Sequence, residues 1–172
     1  RVGSSEGLFI DFMGSFLTPL EEELGTRSVA TVGHTHGMVT QEQYSHRMEA
    51  INFALQNDDG GSIRQYERAD LILVGVSRSG KTPSSVFLAI HYGIFVANYP
   101  LVEEELENSQ LPGDLRSWRD KLFGLTIRPE RLQQIRQERS PNSRYAALHQ
   151  CQYEVRQVEA LFRANRIEYL DV

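Results

Sequence analysis

Ala69-Asp70-Leu71-Ile72-Leu73-Val74-Gly75-Val76-Ser77-Arg78-Ser79-Gly80-Lys81-Thr82-Pro83 decides how this 172-residue chain reads. Leu71 to Val74 is a short unbroken apolar run, the mark of a strand buried on both faces of a parallel sheet. Gly75 to Thr82 then matches the phosphate-binding pattern G-x-x-x-x-G-K-[ST] at every specified place. Gly75 and Gly80 let the backbone curl, so that the N–H groups of Val76, Ser77, Arg78 and Ser79 can turn toward phosphate oxygens. Lys81 supplies a mobile point charge and Thr82 a hydroxyl suited to Mg²⁺. A helix expected from about Pro83 to Tyr92 would offer its positive end to the same anion.

Working outward, the chain reads as a helical N-terminal region, residues 1–63, joined to an α/β nucleotide-binding domain with a parallel sheet, residues 64–172. Leu8 to Leu24 carries apolar residues at steps of three and four, with Pro19 expected to break or kink the helix and Gly25 to end it. A glycine-bounded loop, Gly33-His34-Thr35-His36-Gly37, follows. A second helix runs from about Thr40 to Asn57, its start marked by the Thr40–Gln43 capping box. Asn57-Asp58-Asp59-Gly60-Gly61 closes it as a turn. Beyond the phosphate pattern, Ile94 to Ala97 and Leu122 to Ile127 read as strands, separated by an acidic segment of loop and short helix. Pro129 to Arg139 and Ser143 to Asn165 read as helices, and Ile167 to Leu170 as a last strand.

Composition narrows the function classes. Hydrophobic residues make up 40% of the chain and charged ones 24%, ordinary globular values that disfavour disorder. A net charge of −5 leaves no cationic surplus for displacing counterions from nucleic acid. No apolar run approaches the length of a membrane span. The lone cysteine, Cys151, sits on the apolar stripe of a helix and reads as a packed core thiol in a cytoplasmic protein. The start at Arg1, without initiator Met or signal pattern, is consistent with a fragment of a longer chain. Of 18 cationic residues only Lys81 and Lys121 are lysines, so a lysine at the phosphate pattern calls for its own explanation.

Phosphoryl-transfer enzymes of this type usually add a second strand ending in Asp to hold Mg²⁺. Here the later strands end in Asn98-Tyr99-Pro100 and Thr126-Ile127-Arg128, with no carboxylate. Asp58 and Asp59 are the candidates to supply it, although their position equally suits a solvated helix-ending turn. Asp70 reads as structural, and Trp118 as a packing residue. His34 and His36 could contact a metal or phosphate, or simply hold their loop by hydrogen bonds. Arg136, Arg139 and Arg144 could clamp a phosphate or a partner, or form a solvated charged face.

Several motifs in order give a specific resemblance. The stretch Ala69–Pro83, Glu49-Ala50-Ile51-Asn52-Phe53 with Asn57-Asp58-Asp59-Gly60, Ala97-Asn98-Tyr99-Pro100-Leu101, Lys121 to Ile127, and Pro141-Asn142-Ser143-Arg144-Tyr145-Ala146 resemble the phosphoenolpyruvate synthetase regulatory proteins. These are bifunctional serine/threonine kinases and phosphorylases, related to the regulators of pyruvate, phosphate dikinase. The resemblance is dense from about Val32 onward and implies a P-loop kinase-like fold with two activities. One is ADP-dependent phosphorylation of a synthetase threonine, which inactivates that enzyme. The other is phosphate-dependent removal of the group, which releases pyrophosphate and restores activity. It implies ADP and inorganic phosphate as substrates, Mg²⁺ as cofactor and the synthetase as protein partner; a homodimer is compatible with it. Gly75 to Thr82 would be the nucleotide loop, Lys81 and Thr82 catalytic, Thr82 a Mg²⁺ ligand, and Asp59, then Asp58, the general base by position. Family members carry Arg where this chain has His34, and they are longer. A P-loop kinase for a small metabolite, and a nucleotide-sensing module without chemistry, stand as the other readings.

Overall fold

A computed structural model describes residues 12–27, 41–58, 63–107 and 110–172. Its contacts divide the chain into two units, 1–38 and 39–172. In the first, helix α1 spans Phe12–Leu24 and continues through Pro19 without interruption. The His34/His36 loop and Asp59 lie outside the described residues.

The second unit is α/β, with four parallel strands in the order β2-β1-β3-β4. These are β1 Leu71–Val76, β2 Val96–Leu101, β3 Leu122–Thr126 and β4 Tyr169–Asp171. The helices are α2 Gln41–Gln56, α3 Lys81–Tyr92, α4 Glu103–Leu106, α5 Gly113–Arg116, α6 Pro129–Arg139 and α7 Leu148–Asn165. Helix α2 packs on α3 and β2. It therefore belongs with the sheet, and the division falls between Met38 and Val39 instead of between 63 and 64. Among the described residues, no helix is long and apolar enough to cross a membrane.

The apolar run of β1 is buried on both faces because side chains alternate. Ile72, Val74 and Val76 pack with Cys151, Val155, Val158, Leu161 and Phe162 of α7. Leu73 turns to the other face, against Leu88 of α3 and Leu125 of β3. Cys151 is fully buried in this core, and burial pushes its thiol pKa up. Asp70 is structural, accepting a hydrogen bond from the Phe95 amide at 2.9 Å.

Several element boundaries differ from the sequence reading: β4 starts at Tyr169 instead of Ile167, and three others bear more directly on the site. β2 runs on through Asn98, Tyr99 and Pro100 to Leu101, pairing with β1 on one side only. An edge strand tolerates a proline because its missing N–H faces away from the ladder. α3 begins at Lys81, two residues ahead of Pro83, which occupies the first turn where no donor is needed. The expected helix from Ser143 to Asn165 is broken: Arg144–Ala146 form a 3₁₀ turn before α7 starts at Leu148. The Ser143 hydroxyl accepts from the Ala146 amide, a local bond that competes with helix continuation.

Both lysines cap backbone carbonyls. Lys121 Nζ donates to Tyr66 O, Glu67 O and Ala69 O at 3.3, 2.8 and 2.8 Å, closing the 3₁₀ turn that leads into β1. A compact ammonium with three donors suits convergent carbonyls better than a planar guanidinium.

Candidate active site

The strand order places a crevice at the loop after β1. The chain leaves β1 for β2 on one side, whereas β3 leads to β4 on the other. Ligands of parallel α/β sheets bind where neighbouring strands send their connections in opposite directions. Here that crevice is a cleft of about 780 Å³, lined by Asp58, Ser77, Arg78, Gly80, Lys81, Thr82, Arg131, Ile135 and Arg139 among others.

Gly75 to Thr82 forms the turn between β1 and α3. A Cβ at Gly75 would lie 2.3 Å from Leu125 O and 2.9 Å from Ser79 Oγ, so only glycine lets β1 pass this close to β3. Gly75→Ala is expected to cost about 1–3 kcal/mol through overpacking, read as a lower denaturant midpoint with an unchanged slope. Gly80 adopts φ 80° at the N-cap of α3 and offers no side-chain cap, which leaves the helix start to the cleft. Arg78 also holds a left-handed φ of 74°, uncommon for a residue with a Cβ.

Lys81 is nearly buried, and its Nζ donates to Gly75 O at 3.1 Å and Val76 O at 2.8 Å. The ammonium is thus folded back over its own loop. Thr82 Oγ1 donates to Asp58, 2.9 Å from Oδ1 and 3.1 Å from Oδ2. The carboxylate missing from the later strands therefore arrives from the end of α2.

Asp58 is held in place from β2. Asn98 donates its backbone N–H to Asn57 O at 2.9 Å and its side-chain Nδ2 to Asp58 Oδ1 at 2.7 Å. The same Nδ2 lies 3.2 Å from Ser85 Oγ, which donates to Thr82 O at 2.9 Å. Asn98 is buried, so these bonds are shielded from water competition. The sequence reading quoted Asn98 only as part of a motif and as the non-acidic end of a strand. Its role depends on β2 lying beside β1, which no local pattern encodes.

A second support reaches the loop from the opposite side. Arg136 of α6 is fully buried and forms a fork with Glu154 of α7, at 3.0 Å to Oε1 and 2.6 Å to Oε2. Its Nη2 also donates to Ser77 O at 3.1 Å, and its Nη1 to Tyr145 O at 3.0 Å. Burial alone would lower the guanidinium pKa; the hydrogen bonds and charge of Glu154 outweigh it, and the pKa rises. Tyr145 donates its hydroxyl to Ser77 Oγ at 2.9 Å, and its ring lies 4.0 Å from the guanidinium carbon.

The three candidate arginines thus separate. Arg136 braces the loop, Arg139 lines the cleft, and Arg144 pairs on the surface with Glu103 at 2.9 Å. Ser79 and Val76 belong to the loop interior and are buried, whereas Trp118 packs half-buried against the core. Among the described residues, no group of three or more His, Cys, Asp or Glu side chains could hold a metal ion.

Fold and site together define a parallel α/β protein with a cationic cleft over a glycine-bounded loop, carrying one threonine–aspartate pair. The chain belongs to the kinase/pyrophosphorylase family, which it matches over residues 3–172. It is 54% identical over 171 residues to a phosphoenolpyruvate synthase regulatory protein of Hahella chejuensis, covering 99% of this chain and 63% of the relative. A protein of the same name from Stutzerimonas stutzeri is 54% identical over 170 residues, covering 99% of this chain and 62% of the relative. One from Marinobacter nauticus is 49% identical over 170 residues, covering 99% of this chain and 63% of the relative. The chain thus spans a little under two thirds of these relatives' length.

Proposed function

We propose that this chain carries the nucleotide and phosphate site of a bifunctional regulator of phosphoenolpyruvate synthetase. In one direction it transfers the β-phosphate of ADP to a synthetase threonine, with AMP as the leaving group, and in the other inorganic phosphate removes that group as pyrophosphate. The observation that carries the reading is the Asp58–Thr82 pair beside Lys81, in a chain of the kinase/pyrophosphorylase family. The loop serves both directions, because backbone N–H groups recognise a phosphate dianion whatever bears it. Lys81 offsets charge on the group in transfer. The Thr82 hydroxyl and Asp58 carboxylate are hard oxygen donors that fit Mg²⁺, which takes one or two protein oxygens and otherwise phosphates and water. When bound, the ion would neutralise phosphate charge.

For the general base we propose Asp59, then Asp58, by position in the sequence. A threonine hydroxyl must lose its proton to attack, whereas phosphate dianion is already a competent nucleophile. Asp59→Asn is therefore expected to slow phosphorylation on the order of 10²-fold or more and phosphate-dependent removal by far less. Equal loss in both directions would end that assignment. The reading itself is tested by incubating the protein with ADP and the synthetase, then scoring phosphothreonine, and by measuring phosphate-dependent release of pyrophosphate from the phosphorylated product. Transfer to a small metabolite without synthetase would replace it with a metabolite kinase.

A further inference from the structure

The walls of the cleft carry more positive charge than the loop needs. Arg78, Lys81, Arg131 and Arg139 line it, and among the described residues Asp58 is the one acidic side chain in the lining. That carboxylate is already bonded to Thr82 and Asn98. In a chain of net charge −5, cations are thus gathered at this one crevice. Among the described residues, no carboxylate pairs with Arg78, Arg131 or Arg139, while Arg136, Arg144 and Arg163 each have one. Among the described residues, the only side-chain hydrogen bond from this trio is a long one, Arg131 Nη1 to Gln134 Oε1 at 3.4 Å.

Helix α6 holds two of these arginines toward the cleft. Arg131, Ile135 and Arg139 recur every fourth residue and all line it. Leu132 and Arg136 are fully buried on the inward side. The fork between Arg136 and Glu154 fixes the rotation of the helix about its axis, and with it the direction of the outer stripe. Arg131 and Arg139 are eight residues apart, about 12 Å along the helix. Like charges gathered on one wall repel, and a bound polyanion would relieve that cost. Guanidinium forks suit phosphate oxygens in particular.

We propose that Arg131 and Arg139 form a second anion subsite, which takes the phosphoryl group of a diphosphate ligand that lies outside the loop. The inference rests on the functional reading above. Both directions of that chemistry require two phosphoryl groups side by side: the α and β groups of ADP, or the two halves of pyrophosphate. The loop cradles one of them. The α6 stripe receives the other, with Ile135 as an apolar spacer between its two cations.

Calorimetry with inorganic phosphate and with pyrophosphate tests this, using wild-type protein, the double variant Arg131→Ala/Arg139→Ala, and Arg156→Ala as an exposed arginine that does not line the cleft. Wild-type and Arg156→Ala are expected to bind pyrophosphate at least about tenfold more tightly than phosphate. The double variant should keep its phosphate affinity within about twofold while that preference falls to near unity. An unchanged preference, or equal weakening toward both ligands, overturns the subsite and leaves the loop reading in place. Absence of phosphate binding by the wild-type protein overturns the loop reading and the subsite with it. The two arginines are exposed, so the double variant should unfold at the wild-type midpoint, and a changed affinity would report on the cleft.

Discussion

Replacing Lys81 by alanine is expected to remove both transfer directions, by about 10²–10³-fold each, while the protein stays folded. The ammonium sits within hydrogen-bond distance of Gly75 O and Val76 O at the base of the loop, close to where a phosphate would lie. Its loss takes away the one cation that a buried stem places inside the cradle, since Arg78, Arg131 and Arg139 are exposed along the walls. Both proposed reactions would develop charge on the same phosphoryl group, so both should suffer alike. This sets Lys81→Ala apart from Asp59→Asn, which should separate the directions. Lys81→Arg is not expected to rescue, because a planar fork cannot reproduce a point charge bonded to two adjacent carbonyls. Single-turnover transfer in each direction, read beside ADP affinity, checks this. Retained activity in either direction would mean that the loop does not hold the reacting phosphate.

Arg136→Ala is expected to be the most destabilising single change at the site, about 3–5 kcal/mol. It strands Glu154, whose carboxylate would keep only the Gln150 amide at 3.1 Å as a partner in a nearly buried setting. It also removes the donor to Ser77 O. The double variant Arg136→Met/Glu154→Met distinguishes these two effects. Apolar replacement of a buried pair is often close to neutral, so stability should largely return. Phosphate affinity should not, because Ser77 still lacks its brace and the left-handed Arg78 beside it is held less firmly. Denaturant midpoints together with phosphate titrations make the measurement. Recovery of both would reduce Arg136 to a packing role.

The sheet and its loop were legible because they are local. Four consecutive apolar residues mark a strand covered on both faces, and the glycine–lysine–threonine spacing marks a tight turn into a helix. Those constraints act between residues a few positions apart, and β1, the turn and α3 fall where the pattern puts them. The breaks in the reading have physical causes as well. The sequence reading ends this strand at Ala97, but β2 runs on to Leu101, and its edge position makes the missing donor of Pro100 harmless. The sequence reading starts the last long helix at Ser143, but a hydroxyl-to-backbone bond there wins over helix propagation.

The sequence by itself determined the family and the strand, turn and helix that carry the glycine–lysine–threonine spacing, and it marked Asp58 and Asp59 as candidate carboxylates. Only the tertiary structure brought Asp58 to Thr82 and supplied what holds it there. Periodicity gives Asp58 no partner; that comes from Asn98, 40 positions away on β2, whose amide reaches its carboxylate. The arginines behave in the same way. Arg136 and Arg139 are one turn apart on a helix rich in charge, yet the first goes inward because Glu154 of α7 is there to meet it, and the second faces the cleft. A buried charge needs a partner that only the packing of two helices can bring, so its place is a property of the fold and not of the segment that carries it.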